Sequence, residues 1–82
     1  MTFELIDIVV ADKQAHPRLA HRVTGHVRAV HSEHNGAHEQ NHDLTIPVWA
    51  DLAETATDED IDLALMLMAA TIIARLKARL AD

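Results

Sequence analysis

The stretch Arg18–Leu52, RLAHRVTGHVRAVHSEHNGAHEQNHDLTIPVWADL, decides the fold. Upstream of Gly36, apolar or small residues recur at alternate positions: Ala29, Val27, Gly25, Val23 and Leu19. Downstream they recur at Leu44, Ile46, Val48, Ala50 and Leu52. Strand side chains alternate between faces, and Asn-Gly is a strong hairpin-turn signal. Folding the chain at Asn35-Gly36 therefore lays both sets on one face. The reading is a long hairpin with arms 18–33 and 38–52.

A turn centred on Asn35-Gly36 pairs Val27 with Leu44, Gly25 with Ile46, and Val23 with Val48. On the opposite face it pairs Arg28 with Asp43 and Arg22 with Trp49. An ion pair and a cation over an indole are both favourable across strands. Pro47 cannot complete a hydrogen-bonded pair, so we expect a four-residue loop, His34–Ala37, or a bulge near Pro47. Either places the second arm at the edge of the sheet.

Outward from the hairpin, Phe3–Ala11 (FELIDIVVA) is rich in β-branched residues and reads as a strand. Phe3, Leu5 and Val9 occupy one parity and Ile6, Ile8 and Val10 the other, the pattern of a strand covered on both sides. Asp12–Pro17 is a short polar connection, which makes the order 1-2-3. Beyond the hairpin, Thr57 and Asp60 have the spacing of a capping box. Asp58, Glu59, Asp60 and Asp62 suit the positive end of a helix dipole, and Arg75, Lys77 and Arg79 the negative end. A helix over 58–80 follows. Ile61, Leu65, Met68, Ile72 and Leu76 form one apolar stripe, and further apolar residues extend it most of the way round. The whole is one α+β domain over 1–82: a three-stranded antiparallel meander followed by one C-terminal helix.

Composition narrows the partners. A net charge of −6 argues against general affinity for nucleic acid and against an anionic membrane surface. Phe3 and Trp49 are the only aromatics, so stacking platforms for bases are nearly absent. The uninterrupted apolar run Leu63–Ala74 is shorter than the roughly 20 residues of a membrane span. Cysteine is absent, which excludes disulfides and thiolate zinc sites and fits a reducing compartment. No cleavable signal pattern is visible near Met1, so the expected location is the cytoplasm.

Seven histidines are the compositional oddity. His31, Glu33, His38 and His42 share a face near the turn, a donor set that suits zinc or another transition metal such as nickel or copper. Solvation of a hairpin tip beyond the helix is the competing reading, and a pH response of the clustered imidazoles is a third. His26 joins Arg22, Arg28 and Trp49 in a small basic-aromatic patch that Asp43 and Asp51 largely neutralise. His21 falls opposite Ala50 as a core or interface histidine, and His16 belongs to a loop. Gly25 marks a bulge or a close approach of the helix. Met66 and Met68 are core fillers. No nucleophile, phosphate-binding glycine loop or other catalytic grouping is present, and no cofactor is required.

The expectation is a non-enzymatic structural or interaction protein. A helix apolar on most sides needs more cover than one small sheet supplies. Its partner is a second copy, in a homodimer or higher oligomer, or another protein subunit. Leu63, Leu67, Ala70, Ala74 and Ile73 are the interface candidates, with the alanines allowing close helix approach.

Overall fold

Gly36 is the point on which the sheet turns. In the computed structural model, which describes residues 2–80 and the side chains of 4–79, Gly36 has φ +64° and no non-glycine residue among those described has positive φ. A turn centred on Asn35-Gly36 of the type that suits Asn-Gly needs positive φ at both central residues. Only the glycine supplies it. The turn is therefore Gly36-Ala37, with glycine first, and Asn35 pairs with His38 in the ladder.

The register corrects the expectation accordingly. Val27 lies opposite Ile46, Gly25 opposite Val48 and Val23 opposite Ala50. The loop has two residues rather than four. The pairing slides by an amount that keeps side-chain parity, so residues 22–33 and 38–51 stay on their expected faces, whereas Leu19 and His21, expected on the apolar face, lie exposed in the connecting turn. The expected cross-strand contacts survive as diagonals: Arg28 Nε donates to Asp43 at 2.9 Å, and the Arg22 guanidinium lies 3.8 Å from the Trp49 ring centre. Counting back from the turn, His26 and Pro47 form a non-hydrogen-bonded pair. Pro47 thus faces its missing N–H to the free edge.

The elements are β1 (Thr2–Ala15), β2 (Arg22–Asn35), β3 (His38–Asp51) and α1 (Asp58–Leu80), with the sheet in the order β1-β2-β3. The fold is α+β, three antiparallel strands and then a helix. β1 is longer than its apolar run, and β2 begins at Arg22 rather than Arg18. Residues 16–21 form the connecting turn, where His16 Nδ1 accepts from the backbone N–H groups of Arg18 and Leu19 at 3.1 Å. His21 lies in that turn and is exposed, not in the core.

The mixed parity of β1 has a different cause from the one expected. The ladder skips one residue between Leu5 and Asp7 and another between Val10 and Asp12. Each bulge reverses the alternation. Leu5, Ile8, Val10 and Lys13 therefore face the helix in succession, opposite His31, Ala29, Val27 and Gly25. Ile6 and Val9 remain exposed on the other side, so the strand is covered on one face only. Gly25 sits across from the second bulge. A Cβ there would lie 2.3 Å from the Asp12 carbonyl oxygen, which is why only glycine fits.

Helix α1 starts at the expected capping box. The Asp60 N–H donates to Thr57 Oγ1 at 3.2 Å, and the Thr57 N–H donates to Asp60 Oδ2 at 3.0 Å. Lys13 Nζ reaches Asp62 at 2.6 Å and Asp58 at 3.3 Å, tying the first turns of the helix to the end of β1. The core gathers beside this clamp: Val27, Val48, Ala50, Leu65 and Ala69, with Ile8, Val10, Val23, Ile46, Ile61 and Met68 packed around them. Leu65, Ala69 and Ile73 carry the contact along the helix. Steps of four overshoot a turn of 3.6 residues, so this line drifts round the helix. Ile72 and Leu76, expected on the buried stripe, are left exposed.

Candidate functional site

Beyond the core, the last turns of α1 run over the distal half of the hairpin without closing on it. A cleft of about 270 Å³ opens there, lined by His31, Glu33, His42, Leu44, Ile73, Leu76 and Lys77. The strand register builds its floor. His31 pairs with His42 and Ala29 with Leu44, and parity turns His31, Glu33, His42 and Leu44 to the helix side. The helix supplies the roof at one-turn spacing, with Ile73 and Leu76–Lys77.

His31 is the buried polar group of this region, at 4% exposure. Neither ring nitrogen has a hydrogen-bond partner, and both are closed off from water. Burial pushes its pKa below the ordinary 6.5, and the charges of Lys77 and then His42 push the same way. At neutral pH the ring is uncharged. Beside it, His42 Nε2 lies 2.7 Å from Glu33 Oε2, and the Glu33 side chain is about four-fifths buried. The carboxylate is thus committed to one imidazole while the other imidazole has no partner.

Of the four expected metal ligands, three line this cleft and one does not. His38 pairs with Asn35 at the tip and is exposed. Four residues of strand put it about 13 Å from His42. Among the described residues, no three His, Asp or Glu side chains are grouped to hold a metal ion. The cluster is also not the wet tip that the sequence suggests. The helix, about 34 Å long at 1.5 Å per residue, reaches far enough along the strands to bury His31.

The expected interface residues divide as well. Leu63 and Leu67 are 52% and 66% exposed, and Ala70 and Ala74 lie on the same side of the helix, away from the sheet. Ile73 does not join them. It is 7% exposed, and it lines the cleft.

The outer face of the sheet is a solvated ion-pair lattice. Arg22 makes a bidentate contact with Asp51 at 2.8 and 3.0 Å, Arg28 pairs with Asp43, and His26 Nδ1 lies 2.9 Å from Asp12. The hydrogen bonds from Arg28 and Arg22 hold the Asp43 and Asp51 carboxyls below the usual carboxylate range. The basic-aromatic patch is therefore neutralised by its own neighbours. Ser32 is buried on this face and donates its hydroxyl to Glu39 Oε1 at 3.1 Å, with His34 Nε2 also 3.1 Å away.

His31, Glu33, His42 and Leu44 are legible in the sequence as neighbours on one face, but Leu76 and Lys77 are not. No local signal carries that information, because it depends on where the helix lands. No family model matches the chain, and no curated protein or solved structure matches it. No helix among the described residues is long and apolar enough to cross a membrane.

Proposed function

We propose that this protein is a small non-enzymatic interaction module that works as a homodimer, joined through the outward face of α1. The observation that carries this reading is the outward stripe of exposed Leu63, Leu67 and Ala74 with half-buried Ala70. Its layout is self-complementary in an antiparallel pair. About a twofold axis level with the Met68–Ala69 bond, Leu63 meets Ala74 and Leu67 meets Ala70, a large side chain on a small one each time. The same axis brings Asp60 of one copy towards Arg75 of the other. A parallel pair would stack like charges at both ends.

Two further features support a second copy as the occupant. The radius of gyration is 14.8 Å, against about 12 Å for a compact chain of this length. The core is correspondingly thin for a domain that must stand alone. The sheet edges are poorly suited to strand addition, since β1 carries two bulges and β3 carries Pro47 at its free edge. Association through the helix avoids both.

Sedimentation equilibrium at several concentrations tests the proposal. The wild type is expected as a dimer at micromolar concentration. Leu67→Glu is expected to sediment as a folded monomer, with its helical circular dichroism retained. A wild type that remains monomeric at a hundred micromolar would overturn the reading.

A further inference from the structure

We propose that the cleft beneath the last turns of α1 binds a small apolar carboxylate, its tail between Leu44, Ile73 and Leu76 and its head between His31 and Lys77. This goes beyond self-association: Ile73 and Leu76, which wall the cleft, lie off the dimer stripe.

Three observations converge on this ligand. The first is His31, nine-tenths buried and more, with both nitrogens unpaired. Buried polar groups are nearly always hydrogen-bonded, so an orphaned imidazole marks a missing partner. His31 lines the cleft while both its nitrogens are closed to water. A half-turn of the ring about Cβ–Cγ exchanges its nitrogens with Cδ2 and Cε1 and leaves its outline unchanged. The ring can thus present an N–H to an acceptor without displacing its neighbours.

The second observation is size and character. A volume of about 270 Å³ lies just below the usual range of about 300–1,000 Å³ for ligand pockets. At about 30 Å³ per water in the liquid, it holds on the order of ten non-hydrogen atoms. Leu44, Ile73 and Leu76 supply an apolar wall for most of that length.

The third is charge. The groups that face His31 are Lys77 from α1, His42 from β3 and Glu33 two residues along β2, while Leu5 across β1 brings none. Glu33 is directed to His42 at 2.7 Å. Lys77 lies close enough for its charge to act on His31. A cation entering the cleft meets that lysine, which disfavours a metal ion. A neutral alcohol satisfies the imidazole and ignores the lysine. A carboxylate accepts from both, and its tail accounts for the wall.

The test is a methyl and histidine-ring NMR titration of the full chain with sodium octanoate, 1-octanol and octylammonium chloride. Octanoate is expected to saturate one site, with shifts at His31, Leu44, Ile73 and Leu76. A Kd on the order of 0.1–1 mM follows from the usual binding energy per atom of so small a ligand. Octanol is expected to bind at least fivefold more weakly, and octylammonium not to saturate. His31→Leu and Lys77→Met should each lower octanoate affinity to that of octanol, and Leu76→Trp should block the cleft. Circular dichroism shows whether each variant is folded. The monomeric Leu67→Glu chain should bind octanoate as the wild type does, so failure of the dimer and failure of this site are read separately. Octanoate binding no tighter than octanol, no saturation by 10 mM, or binding unaffected by Leu76→Trp would each overturn the proposal.

Discussion

The two ends of the sheet are built from the same three strands and covered by the same helix, yet one is packed and the other is open. At the packed end, Gly25, Ala50 and Ala69 allow backbones to approach, Leu65 fills the gap with Val27 and Val48, and Lys13 clamps the helix through Asp58 and Asp62. At the open end the facing residues are His31, Glu33, His42, Leu44 and Leu76, longer and partly polar, and the cleft remains. Small residues opposite aliphatic ones close a helix onto a sheet. Large polar ones hold it off. The difference also separates two demands: the packed end supplies stability, and the open end tolerates an unsatisfied imidazole that stability alone would not select.

The largest expected effect lies at the packed end. Leu65→Ala should destabilise the fold by about 3 kcal/mol, within the usual range for a buried leucine, whereas Leu76→Ala at the open end should cost less than about 1 kcal/mol. Urea unfolding of the two variants measures the contrast. Equal losses would mean that the two ends are equally packed. Next in size is Gly25→Ala. Its new methyl would collide with the Asp12 carbonyl at the β1 bulge, and a loss of about 2 kcal/mol is expected. A neutral result would show that the bulge relaxes.

The smallest effect has the opposite sign. His31→Leu removes two buried, unpaired nitrogens and should leave stability unchanged or raise it by about 1 kcal/mol. Its pH dependence sharpens the point. The folded His31 has a pKa below the ordinary 6.5, so the unfolded chain binds the proton more readily. The neutral ring's contribution to stability is complete above that unfolded value. It is lost as pH falls from there through the lower folded value. Between pH 7.5 and 5, Tm should therefore fall more for the wild type than for His31→Leu. Parallel curves would remove His31 from the acid response.

Much of this was legible in the chain, and the limits are instructive. The alternation around Gly36 placed the side chains of residues 22–33 and 38–51 on their correct faces, and failed at Leu19 and His21, which belong to a turn. It could not decide the register, because sliding an arm by two residues changes partners and preserves parity. The positive φ at Gly36 alone, with Asn35 in the ladder, made that choice. In β1, apolar residues of both parities looked like a strand covered twice, when two bulges were reversing the phase. The solvation expected of the hairpin histidines does not hold at His31, because a distant helix turn covers it.

Neighbours along the chain settle the faces of the hairpin, the Thr57–Asp60 cap, the charge gradient of the helix and its surplus of apolar surface. These rest on periodicity and on hydrogen bonds within a few residues. The register, the bulges, the separation of Ile73 from the outward stripe and the closed burial of His31 emerge from the folded chain. The last two depend on where a helix held at one end by Lys13 comes to lie at the other, and no local pattern encodes that distance.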